Sequence, residues 1–355
     1  MKLVYAVDRN GYGDADHVGV RKKVEAVLRL FEKEGISTSL YKYKWEGGFP
    51  MLQVEEDTDV LYFRRIDPSI KLLLKLRELK KKNKKLRLIM EIPTYPFAWE
   101  STTKLSLKRR VSYAMGNCLL HFFLNRIVLI GQEHAIPYLY NVPVLHARNG
   151  VDYEDISLRT NEKKENEIHM IAVSGCYFWH GYDRLIKGLV NYYKSDSVKQ
   201  QVYFHLVGEG KCLEEYKRLA VESNLLDKYV IFHGRLVGQE LDEVYNMCDV
   251  AIDCLGCHRK QLYYVSSLKV REYAAKGMPM VTSTIVDINC EELSDYILEL
   301  PPDESDIDVK KIIDFTDSIY RDTENPASTI REAFRPYCEW KYSFENVVKY
   351  IKEGI

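Results

Sequence analysis

Nowhere in this chain of 355 residues does an uninterrupted apolar run reach the ~20 residues that a membrane-crossing helix needs. Met1–Val7 is apolar but short and ends at Asp8, so it reads as a first strand and not as a secretory signal. The expected location is cytoplasmic, where the eight cysteines stay reduced. No internal repeat is present. No complete dinucleotide fingerprint is present either: Gly11, Tyr12 and Gly13 open one, but Asp16 stands where the third glycine belongs. Cys254, Cys257 and His258 have haem-attachment spacing, yet attachment requires export. A zinc site would need a second ligand pair at suitable spacing, and none is found. The D-x-D pairs at Asp14/Asp16 and Asp57/Asp59 are frequent by chance. No nucleic-acid-binding motif appears.

What is present is a chain long enough for two domains, 46% hydrophobic and 29% charged. Its net charge of −1 hides an asymmetry. Residues 1–150 carry 26 basic and 16 acidic side chains, an excess of ten; the remainder carries 25 and 36. The first half therefore faces something anionic: nucleic acid, a membrane, or a charged substrate. Periodicity predicts strands at Lys2–Ala6, Ser37–Tyr43, Val60–Arg64, Leu86–Ile92 and Arg126–Ile130, with helices between them. The helix over Val18–Glu34 stops at Gly35, a good C-cap. Residues 160–166 are polar and charged and read as a linker. A second series follows, with strands near Ile168–Ser174, Val202–Val207, Val230–His233, Val250–Asp253 and Met280–Ser283. Such alternation implies parallel sheets whose ligands bind at the carboxyl ends of the strands.

Several segments carry chemistry. Ser266 and Ser267 stand where a helix should begin, and either hydroxyl is placed to cap it. A helix N-terminus suits a diphosphate, and Lys269 adds a mobile cation. Glu272, one turn in, can accept hydrogen bonds from two ribose hydroxyls. Glycines follow strands in HLVGEGK (205–211) and VIFHGRL (230–236). On the first half, Gly13, Asp14 and His17 follow the first strand, as a cleft-bordering loop or a plain strand–helix turn. Glu91 and Tyr95 close another strand, Glu91 as a base, an acceptor ligand or a loop cap. Arg64 and Arg65 close a third and suit a phosphate-bearing acceptor. Residues 80–87 and 104–126 are strongly basic, and the second run mixes Lys108, Arg109 and Arg110 with Leu119, Leu120, Phe122 and Phe123, the pattern of an interfacial helix or of a solvated helix face.

Taken in order, SSLKVREYAAKGMPMV (266–281), HLVGEGK, VIFHGRL, YNMCDVAID (245–253), WHGYDRLIKGL (179–189) and, earlier, GVRKKVEAVLRLFEKEG, EIPTYPFAWE and NGVD resemble the retaining GT-B glycosyltransferases, the glycosyl transferases group 1 type that builds bacterial surface polysaccharides. The resemblance implies an α/β protein of GT-B fold, two Rossmann-like doubly wound domains facing a central cleft. The expected boundaries are 1–160 for an acceptor domain, 167–336 for a donor domain, and 337–355 for a segment returning to the first domain. It implies transfer of a sugar from a nucleoside-diphosphate sugar to a hydroxyl acceptor, with retention, in capsule, exopolysaccharide or lipopolysaccharide synthesis. The implied donor residues are Glu272, Lys269, Ser266, Ser267, Leu268, His180, Gly175, Arg235, Leu236 and Tyr264. The acceptor side is Gly13, Asp14, His17, Glu91, Tyr95 and Arg65. No catalytic residue is assigned, and no metal or other cofactor is implied.

Two departures stand out. Tyr264 occupies the place of the family's first glutamate, and Gly175 and His180 stand where an Arg and a Lys often hold the diphosphate. His180, Arg259, Lys260 and Lys269 are the substitutes at hand. Expected partners are the nucleotide sugar, a lipid-linked or oligosaccharide acceptor, and an anionic membrane surface, which would make the protein peripheral on the inner face of the plasma membrane; nucleic acid is not among them. A nucleotide-sugar epimerase, a non-catalytic nucleotide-sugar-binding subunit and a nucleic-acid binder using the basic half remain the other readings.

Overall fold

Along β1 (Lys2–Asp8), Leu3, Tyr5 and Val7 join one apolar cluster while Val4 and Ala6 join another. A strand buried on both faces needs helices on both sides, and the chain supplies them. The computed structural model describes residues 1–13, 18–93, 95, 107–131, 136–160, 162–195 and 198–354. After β1 come α1 (Arg9–Gly13), α2 (Val18–Lys33), β2 (Ser37–Tyr43), the short strands β3 (Trp45–Glu46) and β4 (Phe49–Pro50), and β5 (Val60–Arg64). Then follow α3 (Ile70–Lys82), β6 (Arg87–Ile92), α4 (Leu107–Leu119), β7 (Arg126–Ile130), β8 (Tyr138–Leu139) and β9 (Val142–Ala147). The sheet order is β2-β1-β5-β6-β7-β9-β8, parallel except for β8. Helix α3 begins where the Ser69 hydroxyl accepts the Leu72 amide, and Leu72, Leu73, Leu76 and Leu79 bury one face.

The second sheet contains β10 (Glu167–Val173), β11 (Gln201–Val207), β12 (Val230–Gly234), β13 (Val250–Ile252), β15 (Met280–Thr282) and β17 (Ile297–Glu299); β14 (Tyr264–Val265) and β16 (Ile285–Val286) pair separately. Its order is β12-β11-β10-β13-β15-β17, all parallel. Counted within the sheet this is 3-2-1-4-5-6, the Rossmann order, which reverses direction between β10 and β13. Helices α5 (Tyr182–Lys194), α6 (Leu213–Glu222) and α9 (Val309–Asp322) cover one face. Helices α7 (Gln239–Tyr245), α8 (Leu268–Ala275) and α10 (Pro326–Cys338) cover the other.

The chain divides into Met1–Gly150 with Trp340–Ile355, and Val151–Glu339. The division after Gly150 differs from the linker expected at 160–166. Residues 151–160 belong to the second unit because Tyr153 enters its core and buried Arg159 donates to the Gly277 carbonyl at 3.1 Å and the Cys248 carbonyl at 3.0 Å. The later boundary falls after Glu339 and not after residue 336, since Val151 bridges Glu339. Helices α11 (Trp340–Ser343) and α12 (Glu345–Glu353) place Trp340, Phe344, Val347 and Ile351 in the core of the first unit. Arg87 clamps α12 by donating to the Ile351 carbonyl at 2.8 Å. Among the described residues no helix is long and apolar enough to cross a membrane.

Candidate donor site

In an open parallel sheet the ligand position is the carboxyl end of the strands where order reverses. In the second unit that point lies between the loop after β10 (174–181) and the one after β13 (253–256). Tyr273 of α8 ties the two strands together there: its hydroxyl accepts the Val173 amide at 3.0 Å and donates to the Ile252 carbonyl at 3.3 Å. Arg271, fully buried, pairs with Asp287 and donates to the Ser267 carbonyl at 3.1 Å, which holds the first turn of α8. The HLVGEGK glycines have a steric reason. A Cβ on Gly208, at φ 131°, would stand 1.9 Å from the Ser174 carbonyl oxygen, and one on Gly210, at φ 152°, 1.8 Å from that of Gly175.

Glu272 is half-buried on α8, and Tyr245 donates to its Oε1 at 3.2 Å. One carboxylate oxygen is thus fixed and the other has no partner among the described residues. Ser267 is the N-cap by position, but its hydroxyl does not cap: it donates to Asp253 Oδ1 at 3.1 Å. Lys269 is not the mobile cation expected. Its Nζ lies 3.1 Å from Asp253 Oδ1 and 3.2 Å from Cys254 Sγ. Burial works against its charge, but Cys254, Tyr182 and Asp253 outweigh burial and raise its pKa well above the usual value, so it stays protonated. Asp253 is fully buried, and its Oδ2 has no hydrogen-bond partner among the described residues. The first amides of any helix lack intrahelical acceptors, so α8 adds donors beside that ammonium.

His180 does not supply charge. Its ring is buried, Nδ1 accepts the Tyr177 amide at 2.9 Å, and burial, with Lys269 nearby, pushes its pKa down. Arg259 is claimed by Asp183, at 2.8 and 2.9 Å, and by Glu304, at 2.6 and 2.9 Å. Lys260 Nζ sits 3.9 Å over the Trp179 ring. Gly175 is exposed in the loop after β10; Arg235 is exposed and Leu236 half-buried after β12. Tyr264, Ser266 and Leu268 are half-buried at the approach to α8. Cys254 and Cys257 hydrogen-bond one another, and His258 bonds Glu304 at 2.7 Å, an arrangement without haem or zinc geometry. Among the described residues no three His, Cys, Asp or Glu side chains converge to hold a metal ion.

On the first unit, Gly13 ends a short helix and is not in a loop. Asp14 and His17 lie outside the described residues, as do Thr94 and 96–106. Tyr95 is half-buried against the core. Arg65 pairs with Asp67 at 2.7 Å. Glu91 cannot touch a ligand directly. It is fully buried, receives Lys23 Nζ at 2.9 Å and the hydroxyls of Tyr5 and Tyr62 at 3.1 and 2.8 Å, and lies 3.9 Å from Arg64. Burial opposes its ionisation, yet Lys23 and Arg64 prevail and hold its pKa below the usual carboxylate value. Sequence reasoning missed Asp253, Tyr245 and Tyr273. Asp253 had a usable signal, as an acidic residue ending a strand beside the reversal point.

Residues 169–313 match the family Glycosyl transferases group 1. The second unit carries a glycosyl transferases group 1 domain. An uncharacterized glycosyltransferase of Methanocaldococcus jannaschii is 26% identical over 147 residues, 40% of this chain and 33% of that protein, so the match spans about a third of the relative's length. The lipopolysaccharide outer core galactosyltransferase WaaB superposes with TM-score 0.64 at 11% identity, covering 100% of both chains. A glycosyltransferase from Rickettsia africae gives 0.62 at 12%, over 100% and 99%. Anabaena HepE in complex with UDP gives 0.60 at 14%, over 100% and 98%. At such identities the likeness is one of fold: the chain has the GT-B architecture of two Rossmann-like α/β units.

Proposed function

We propose that the protein transfers a sugar from a nucleoside-diphosphate sugar to a hydroxyl acceptor, with retention, in the synthesis of a bacterial surface polysaccharide. The observation that carries this is the pairing, at the reversal point of the second sheet, of Glu272 held by Tyr245 with a Lys269 kept charged by Asp253 beside the start of α8. In this reading Glu272 accepts the two ribose hydroxyls. Lys269, Ser266, Ser267 and the amide of Leu268 meet the diphosphate, where negative charge grows as the leaving group departs. Neutral His180 backs the loop that meets the diphosphate, Gly175 admits it to the backbone, Arg235 and Leu236 border the base, and Tyr264 borders the sugar. No metal is assigned, because a fixed ammonium and helix amides supply the positive field. WaaB is named a galactosyltransferase, and HepE is described with UDP, with UDP and glucose, and with UDP-glucose; a uridine nucleotide is accordingly the first donor to try.

The first unit takes the acceptor, with Gly13, Asp14, His17, Tyr95 and Arg65 as its acceptor-side residues; buried Glu91 acts from behind, 3.9 Å from Arg64. Leu107, Val111, Met115 and Leu119 are all exposed at four-residue spacing along α4, with Phe122 beyond, in the unit that carries the basic excess. This favours contact with an anionic membrane and a lipid-linked acceptor. Thermal unfolding with a panel of nucleoside diphosphates and their sugars tests the donor assignment. A ligand at 100 times its Kd adds about 2.7 kcal/mol, and Glu272→Ala should abolish the shift. A mutant that shifts like the parent removes the ribose role.

A further inference from the structure

The first sheet also reverses direction, between β1 and β5, and a cavity of about 1100 Å³ opens there. Asp8 ends β1 and Arg64 ends β5, and both line it, together with Tyr43, Trp45, Arg65 and Lys71. One wall is the β3–β4 hairpin. Gly47 and Gly48, at φ 56° and 79°, make its two-residue turn, a conformation that fits the twist of paired strands. The hairpin is tethered at both ends: the Trp45 indole donates to Asp8 Oδ2 at 3.0 Å, and Lys71 donates to the Gly47 carbonyl while its ammonium lies 5.1 Å from the centre of the Phe49 ring.

Trp45 remains 43% exposed although it is held in place, and its ring makes a T-shaped pair with Tyr43. A large ring fixed at a cavity wall and not folded into the core is a preformed platform. The electron-rich face of an indole attracts the C–H face of a sugar ring. The charge is not balanced within the cavity. Arg64, Arg65 and Lys71 face only Asp8 and Asp67 among its lining residues. Arg65 already holds Asp67. One Arg64 Nη is buried without a hydrogen-bond partner among the described residues and lies 3.9 Å from Glu91, which Lys23 also holds, while the side chain stays 20% exposed on the cavity wall.

We propose that this cavity takes the acceptor as a glycan bearing an anionic group, its sugar ring on Trp45 and its anion on Arg64. The proposal rests on the reading of the chain as a glycosyltransferase and names the acceptor that reading leaves open. The anion is a phosphate or a uronate carboxylate, which share this chemistry.

An array of neutral, uronate-containing and phosphorylated oligosaccharides tests it, probed with the intact chain, Trp45→Ala, Trp45→Phe and Arg64→Gln, each also checked for its thermal shift with UDP, ADP, GDP and dTDP. Binding should be confined to acidic glycans, with the phosphate and uronate arms identifying the group. Trp45→Ala should lower it at least tenfold and Trp45→Phe should restore most of it, while Arg64→Gln should remove the preference for acidic over neutral glycans. All variants should keep the nucleotide shift, which shows them folded. Neutral glycans bound as well as acidic ones, binding indifferent to Trp45→Ala, or no bound glycan while the nucleotide shift persists overturns the cavity assignment. No shift with any nucleotide in the unmutated chain strikes the glycosyltransferase reading itself.

Discussion

Lowering the pH from 7.5 to 5.0 should destabilise the second unit through one histidine. His205 lies in β11, where Nε2 contacts His169 Nδ1 at 2.9 Å and Nδ1 contacts His233 Nε2 at 2.9 Å. Glu167 ends the row, 3.3 Å from His169 Nε2. A neutral imidazole donates from one nitrogen and accepts at the other, so neutral His205 can serve both neighbours. Burial, and then the two flanking histidines, push its pKa from 6.5 down to about 3. Between those values the unfolded chain binds the proton and the folded one does not, so stability rises with pH across the window and falls on acidification. The slope is about 1.4 kcal/mol per pH unit, and pH 5.0 lies about 1.5 units below the unfolded value of ~6.5, which makes the loss about 2 kcal/mol. Burial also lowers the pKa of His180 and His233, so the total is larger, and a difference measurement isolates His205. Urea titrations at both pH values on the chain and on His205→Gln, which can still donate and accept while staying neutral, should show the mutant losing about 2 kcal/mol less on acidification. Equal losses would refute the reasoning.

Lys23→Met should cost roughly 3–5 kcal/mol by stranding the buried Glu91 carboxylate, and adding Glu91→Gln should recover much of it in urea titrations. Lys269→Met should weaken a nucleoside diphosphate by about tenfold to a hundredfold, the loss of a charged hydrogen bond of about 1.5–3 kcal/mol, while leaving the bare nucleoside unchanged in calorimetric titration. Val111→Glu with Met115→Glu should lower sedimentation with anionic vesicles by at least about tenfold, since each half-exposed apolar side chain contributes about 1 kcal/mol on burial; unchanged sedimentation would separate α4 from the membrane.

The local chemistry of this chain is legible in one dimension. Alternating periodicities of strand and helix mark out two parallel sheets because a strand covered on both faces is apolar throughout, and HLVGEGK carries glycine where two loops meet backbone to backbone. Glu272 is visible one turn into a helix after a serine pair. What sequence order cannot supply is which side chains meet. Asp253 fixes Lys269 from another element, so an expected mobile cation is a fixed one. Lys23 and Glu91, 68 residues apart, cancel inside the first unit, which turns an expected ligand into a support for Arg64. The boundary after Gly150 depends on Arg159 reaching the Gly277 and Cys248 carbonyls, not on the polar run beyond it. The histidine row depends on register: β10 and β11 set His169 opposite Tyr203 and Ile171 opposite His205, so His205 reaches His169 diagonally on the same face. Composition and periodicity act between near neighbours and so determine the elements, whereas the charge state of a buried group depends on whatever the fold brings within a few ångströms of it, and that only the tertiary structure decided.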